Sequence, residues 1–216
     1  MENNSTQTQE EQRSEEWFEA RRGRFTASEI HRLLGKESLK RTKDAIDNFA
    51  FEKAIEVVHG VFREEIYSAD IKRGVEQEPM AFKLISDKKA LDFIPVENCN
   101  FYPFKESGGA SPDGIIGEDT ILEIKCPKRA KFFRSQIMKV EDIETKYYAQ
   151  MQMQMMATGR GKAIFVNYYI ENGVEHHSEI LVPFDNEMAS LIEERLDMAQ
   201  AIRDVYVAKL TNPVNK

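Results

Sequence analysis

Cysteine is scarce: Cys99 and Cys126 are the only two in 216 residues, too few for a disulfide framework or for a zinc or iron–sulfur site built on four thiolates. A reducing cytosol is the expected compartment. Long apolar runs are missing as well, so no membrane span is expected. Positive charge is not in excess: 30 Lys and Arg against 37 Asp and Glu leave a net charge of −7, and any contact with nucleic acid must therefore be local. Residues Met1 to Glu16 are polar and partly acidic, without the basic start and apolar centre of a secretory signal. They read as a flexible lead-in over 1–13, ahead of one domain over 14–216. The hydrophobic share of 41% and charged share of 31% are those of an ordinary soluble globular protein, long enough to bury a core without cross-links.

What is present falls into blocks. From Ser14 to Gly35 the pattern is helical, with Thr26 to Glu29 matching a capping box, a short helix expected over Ala27 to Leu34, and Gly35 as its stop. Arg41 to His59 and Ala69 to Lys89 space their apolar residues as amphipathic helices, the second expected to break or kink at Pro79. Phe93 to Tyr102, Gly109 to Ile116 and Thr120 to Cys126 are short, turn-bounded and rich in strand formers. Ala163 to Ile170 and Val174 to Phe184, joined through Asn172-Gly173, predict a hairpin. Between these sheet regions, Tyr147 to Ala157 alternates Gln and Met like a strand but in residue types that favour a helix; a crossover helix ended by Gly159 to Gly161 is expected. A last amphipathic helix runs from Asn186 to about Val207.

Chemistry concentrates in Ser111-Pro112-Asp113-Gly114 followed by Glu123-Ile124-Lys125. In a strand, alternate side chains share a face, so Glu123 and Lys125 point one way and Ile124 the other. A hairpin returning from Asp113 brings that carboxylate beside Glu123. Two carboxylates and the Ile124 carbonyl are hard oxygen ligands suited to Mg²⁺ or Mn²⁺. Phosphodiester hydrolysis uses such ions to acidify the attacking water and to neutralise developing charge, with a lysine that orients the nucleophile or shares its proton. Each half alone is ordinary, since Ser-Pro-Asp-Gly also makes turns and Glu-x-Lys is a common exposed strand pattern. Their order and strand–turn–strand spacing carry the argument. Two basic patches stand nearby in sequence, Arg21, Arg22 and Arg24, and Lys125, Lys128, Arg129, Lys131 and Arg134. His31, His59, His176 and His177 show no metal-ligand spacing, and the methionines from Met151 to Met156 read as core filling.

With these residues in place the chain resembles the lambda-exonuclease-like, or YqaJ-like, phage recombination nucleases of the PD-(D/E)XK superfamily. The likeness covers EWFEARRGRFTASE (16–29), RGVEQEPMA (73–81), SPDG (111–114), LEIKCP (122–127) and YAQMQ (148–152). The resemblance implies that Glu78 assists metal binding, with Glu76 as a competitor, and that Gln150 is an active-site glutamine. It also implies that Arg21, Ser28 and Ser111 hold a terminal 5′ phosphate. Trp17 and Phe18 read as anchors of the first helix, although the resemblance would allow them near a DNA entrance.

The expected fold is α/β (α+β in some schemes), a restriction-endonuclease-like core with a central mixed sheet flanked by helices, the N-terminal ones walling a DNA cleft. By resemblance the expected activity is an alkaline exonuclease of a bacterial host's cytoplasm. It would degrade the 5′ strand of linear double-stranded DNA and leave 3′ overhangs for a single-strand annealing partner, as a ring-shaped homotrimer using Mg²⁺. A structure-specific or restriction-type endonuclease and a non-catalytic DNA-binding recombination scaffold are the rival readings.

Overall fold

A buried helix wedged between a sheet and an N-terminal layer organises the computed structural model, which describes residues 14–35, 39–60, 69–92 and 94–212. The lead-in expected over 1–13 lies outside the described residues. Helix α1 (Glu15–Arg21) opens on Ser14, whose hydroxyl accepts the Trp17 N–H at 3.2 Å. The helical stretch expected from Ser14 to Gly35 is interrupted: β1 (Phe25–Thr26) follows, then a 3₁₀ helix over Ala27–Leu33. Thr26 makes no capping bond there, its hydroxyl lying 3.3 Å from that of Ser28 instead. Gly35 does take a positive φ of 53° at the end of this segment. Gly23, at φ 65°, makes the turn between α1 and β1, and a Cβ there would fall 2.2 Å from Val57 Cγ2.

Helices α2 (Leu39–His59) and α3 (Ala69–Ala90) match the amphipathic blocks. The break expected at Pro79 does not occur, because α3 continues through it; the missing N–H removes one bond to the Val75 carbonyl without ending the helix. Strands β2 (Val96–Glu97), β3 (Tyr102–Phe104), β4 (Gly108–Ala110), β5 (Gly114–Ile116) and β6 (Thr120–Lys125) follow. The predicted run Gly109 to Ile116 thus belongs to two strands, and those strands belong to different sheets. After β6 come α4 (Arg129–Ser135), a 3₁₀ turn (Val140–Asp142), α5 (Thr145–Thr158), β7 (Lys162–Glu171), β8 (Val174–Pro183) and α6 (Asn186–Thr211). The hairpin β7–β8 turns on Asn172 and Gly173, both at positive φ, as its sequence predicts.

The larger sheet has the order β2-β5-β6-β7-β8, with β6 and β7 parallel and the other pairs antiparallel; the smaller one has the order β1-β4-β3. A parallel β6–β7 pair needs a long crossover, and α4 and α5 supply it. Period-2 alternation gives the larger sheet two apolar faces. Ile121, Ala163 and Phe165 meet Met151 and Met155 of α5, whereas Leu122, Ile124, Val166 and Tyr168 meet Ala81 and Ile85 of α3. The opposite side of α5 packs Ala149 and Met153 against Phe25, Ile30, Phe49 and Leu196. Every residue from Ala149 to Met155 is buried, which explains a helix that carries methionine on two sides. Among the described residues no helix is long and apolar enough to cross a membrane.

Leu122 is fully buried in the layer between the sheet and α3. Leu122→Ala is expected to lower the unfolding free energy by about 2–5 kcal/mol, read as a lower urea midpoint at unchanged slope.

Candidate active site

Ser111-Pro112-Asp113 carries the chain from the small sheet to the large one. The Asp113 N–H donates to the Leu122 carbonyl at 3.0 Å, and its Oδ2 accepts the Ile124 N–H at 2.5 Å, so the carboxylate is clamped beside Glu123. Glu123 points to the α5 face and is completely buried. Its Oε1 accepts from Gln150 Nε2 at 2.7 Å and from Lys125 Nζ, and its Oε2 accepts from Gln154 Nε2 at 2.6 Å. An unpaired buried carboxylate is destabilising by several kcal/mol; these donors offset that cost. Gln150 and Gln154 are one helical turn apart, on the same face of α5.

Four charged groups share this corner. Burial pushes the Asp113 carboxyl well above its usual range, and Glu123 and Glu78 push it further, against Lys125 and the Ile124 N–H. Burial works against the Lys125 ammonium, but Glu123 and Asp113 outweigh it and its pKa rises. Lys125 is therefore charged at any neutral pH. Glu78 lines a groove of about 480 Å³ with Ile124, Lys125 and Cys126, whereas its competitor Glu76 is exposed and pairs with Lys72 at 3.8 Å. Burial raises the Cys126 thiol to about 12, with Glu78 and Asp113 adding to the shift.

The donor set has the chemistry for a hard cation. In an extended strand the N–H and C=O of one residue point to the same edge. The Ile124 carbonyl thus faces the edge where its N–H meets Asp113, and just past the strand the Cys126 carbonyl accepts from Arg73 Nε at 2.9 Å. No group of three or more His, Cys, Asp or Glu side chains is drawn together tightly enough to hold an ion among the described residues. Two carboxylates and a carbonyl nevertheless suit Mg²⁺, which keeps several waters and takes the rest of its shell from substrate phosphate.

Arg21 and Ser111 are brought together and Ser28 is not joined to them. Ser111 Oγ accepts from Trp17 Nε1 at 3.1 Å and from Arg21 Nη1 at 3.5 Å, and the Arg21 guanidinium lies 4.1 Å from the Trp17 ring centre. Burial lowers the Arg21 pKa to about 10, opposed by Glu29 and Glu56, so the cation persists at neutral pH. Ser28 is exposed and touches Thr26. Of the basic patches, Arg22 and Arg24 are spent on backbone carbonyls of Glu56, Val57, Glu106 and Gly108. Lys128, Arg129 and Lys131 pair with Asp70, Glu171 and Glu144.

One residue that touches Glu123 escapes the reading from sequence, and Trp17 reads there only as an anchor or as standing near a DNA entrance. Gln154 repeats Gln150 after one turn, a signal hidden inside the Gln/Met alternation. Trp17 stands one turn before Arg21 on α1, and an anchoring role alone does not predict its bond to Ser111.

The sequence pattern described as "YqaJ-like viral recombinase domain" matches residues 16–161. Among solved structures, an alkaline exonuclease (LHK-Exo) from Laribacter hongkongensis superposes with a TM-score of 0.74 at 26% identity, over 92% of this chain and 96% of that one. LHK-Exo in complex with dAMP gives 0.74 at 27% identity with the same coverage. A phage related exonuclease from Haemophilus somnus 129PT shares the fold, with a TM-score of 0.68 at 16% identity over 87% of this chain and 96% of that one. No curated protein matches the chain in sequence. The matched span is more than half of the chain and holds Arg21, Glu78, Ser111, Asp113, Glu123, Lys125 and Gln150, and the chain therefore belongs to the family of YqaJ-like viral recombinase domains.

Proposed function

We propose that the protein is a divalent-metal-dependent deoxyribonuclease that degrades the 5′ strand of linear duplex DNA, releases mononucleotides and leaves a 3′ overhang. The observation that carries this reading is the convergence of Asp113, just ahead of β5, with Glu123 and Lys125 of β6, Lys125 lining an adjoining groove. The likeness to an alkaline exonuclease, one form of which holds a deoxynucleoside monophosphate, supports the exonuclease form of it over the endonuclease and scaffold readings.

Asp113, Glu123, the Ile124 carbonyl and Glu78 would hold Mg²⁺ or Mn²⁺. A cation there supplies an acidified water and offsets charge on the phosphate. The chain's own residues do the rest. Gln150 and Gln154 fix the Glu123 carboxylate, so its oxygens need no reorganisation when substrate arrives. Lys125 keeps an ammonium beside Glu123, where it stabilises negative charge on the phosphate and orients the nucleophile. Arg21 and Ser111, with Trp17 behind them, offer donors to a terminal 5′ phosphate, whereas Ser28 is exposed and makes its contact with Thr26. By the family resemblance the enzyme works in the cytoplasm of a bacterial host, as a homotrimer feeding a single-strand annealing protein, with 14–216 as one catalytic unit.

End-labelled linear duplexes, incubated with Mg²⁺ or with chelator, test the reading. Mononucleotides released from 5′ ends only with the metal are expected; cutting of covalently closed circles at the same rate would overturn it. Lys125→Ala should slow cleavage at least a hundredfold with an unchanged circular dichroism spectrum.

Arg21→Ala is expected to abolish a preference of about tenfold or more for a 5′ phosphate over a 5′ hydroxyl, measured as relative kcat/KM on the two duplexes.

Asp113 also sets a pH dependence. Its pKa in the folded chain is raised above the unfolded value of about 3.9, so its contribution to stability is present below that value and is lost as pH rises through the folded pKa. In chelator, the unfolding free energy of the parent relative to Asp113→Asn should therefore fall with pH above about 4. A flat difference would remove the assignment.

A further inference from the structure

The parallel register of β6 and β7 sets Asn167 directly beside Lys125. Paired residues of neighbouring strands share a face, with backbones about 4.8 Å apart. The Asn167 carboxamide thus stands next to the ammonium of the site. It is 4% exposed, and its Nδ2 is buried with no hydrogen-bond partner among the described residues. Buried amide donors are nearly always paired, so an orphan at this position lacks an acceptor. Asn167 lines the groove that holds Lys125 and Glu78, and it also lines a second groove of about 460 Å³ between α4 and α5. The two hollows share Ala130, Lys131, Tyr147 and Asn167 in their walls.

The second groove has the chemistry of a nucleic-acid strand. Tyr147 gives it an aromatic wall, and three ammonium groups surround that ring: Lys146 at 4.6 Å, Lys131 at 5.2 Å and Lys125 at 5.3 Å from its centre. Glu144 pairs with Lys131 and Lys146 and holds them there. Arg134 lies exposed along the groove and has no ion pair among the described residues. A flat ring beside cations and a buried donor matches a base next to its backbone phosphate.

We propose that this groove receives the cleaved strand on the 3′ side of the scissile bond, with the Asn167 carboxamide donating to a backbone phosphate and Tyr147 stacking on the adjoining base. The direction rests on the exonuclease reading. Arg21 and Ser111 stand on the β5 side of the catalytic strand and Asn167 on the β7 side, so a 5′ end held by the first pair sends the chain toward the second. Asn167 is a substrate-positioning residue in this scheme, and Arg134 contacts a further phosphate at the rim.

The test is a binding scan in chelator, where no cleavage is needed. A single neutral methylphosphonate is moved along the first phosphates of one strand of a linear duplex, and Kd is measured for the parent, Asn167→Ala and Arg134→Ala. One position should weaken the parent about tenfold and leave Asn167→Ala indifferent; a different position, farther from the end, should behave likewise with Arg134→Ala. Arg134 is exposed, so that variant folds whatever happens at Asn167. Identical profiles for the parent and both variants would overturn the proposal. A parent that binds with the expected profile yet cuts nothing in Mg²⁺ would instead sink the nuclease reading and leave the strand groove standing.

Discussion

A carboxylate taken wholly out of water governs this molecule. Glu123 sits on a central strand, and everything that makes its burial tolerable comes from one helix and one neighbour: two glutamine amides from α5 and the ammonium of Lys125. Because α5 must bring those amides to the sheet, it cannot lie on the surface. It becomes the middle layer, and its remaining sides are filled with methionine and alanine packed against the sheet on one flank and the N-terminal layer on the other. Gln152, on the side away from the site, does the same service for the chain after β8, donating to the Pro183 carbonyl and accepting the Asp185 N–H. Polar satisfaction in the site and apolar packing in the core are thus the work of a single seven-residue stretch.

The same logic explains how an acidic protein can address a polyanion. The net charge is unfavourable, and most of the cations near the groove are already matched by carboxylates. What acts is a short sequence of focused sites: Arg21 on its aromatic platform, Lys125 against the acidic pair, and the lysines that Glu144 holds around Tyr147. Such sites act at contact distance, within one Debye length of about 8–10 Å, and need no basic surface around them.

Much of this was legible from sequence because it depends on local period. The Glu-x-Lys alternation places both side chains on one face of a strand, the Asn172-Gly173 turn requires positive φ, the apolar periods of α2, α3 and α6 mark helices, and the residue types of α5 mark one in spite of its strand-like alternation. The misses have non-local causes. Pro79 was expected to break α3, but packing of Ala81 and Ile85 on the sheet keeps the helix continuous through it. Ser14 to Gly35 carries a helical pattern, yet Phe25 and Thr26 are recruited by Gly108 and Gly109 from eighty residues away. The role of Gln154 depended on which face of α5 meets Glu123, and that of Asn167 on the register of β6 with β7; neither can be read from one segment alone.

The change of sheet at Ser111-Pro112-Asp113 has a mechanical consequence. Ser111 is tied to α1 through Trp17 and Arg21, while Asp113 is tied to β6 through Leu122 and Ile124. Only Pro112 separates these anchor points, two chain steps that span at most roughly 7 Å and that proline makes stiff. Under the proposed activity, with a terminus gripped at one anchor and the backbone severed at the other, such a rod would be a built-in ruler. Its length would then set the stride, and only a change in the polypeptide itself could alter it.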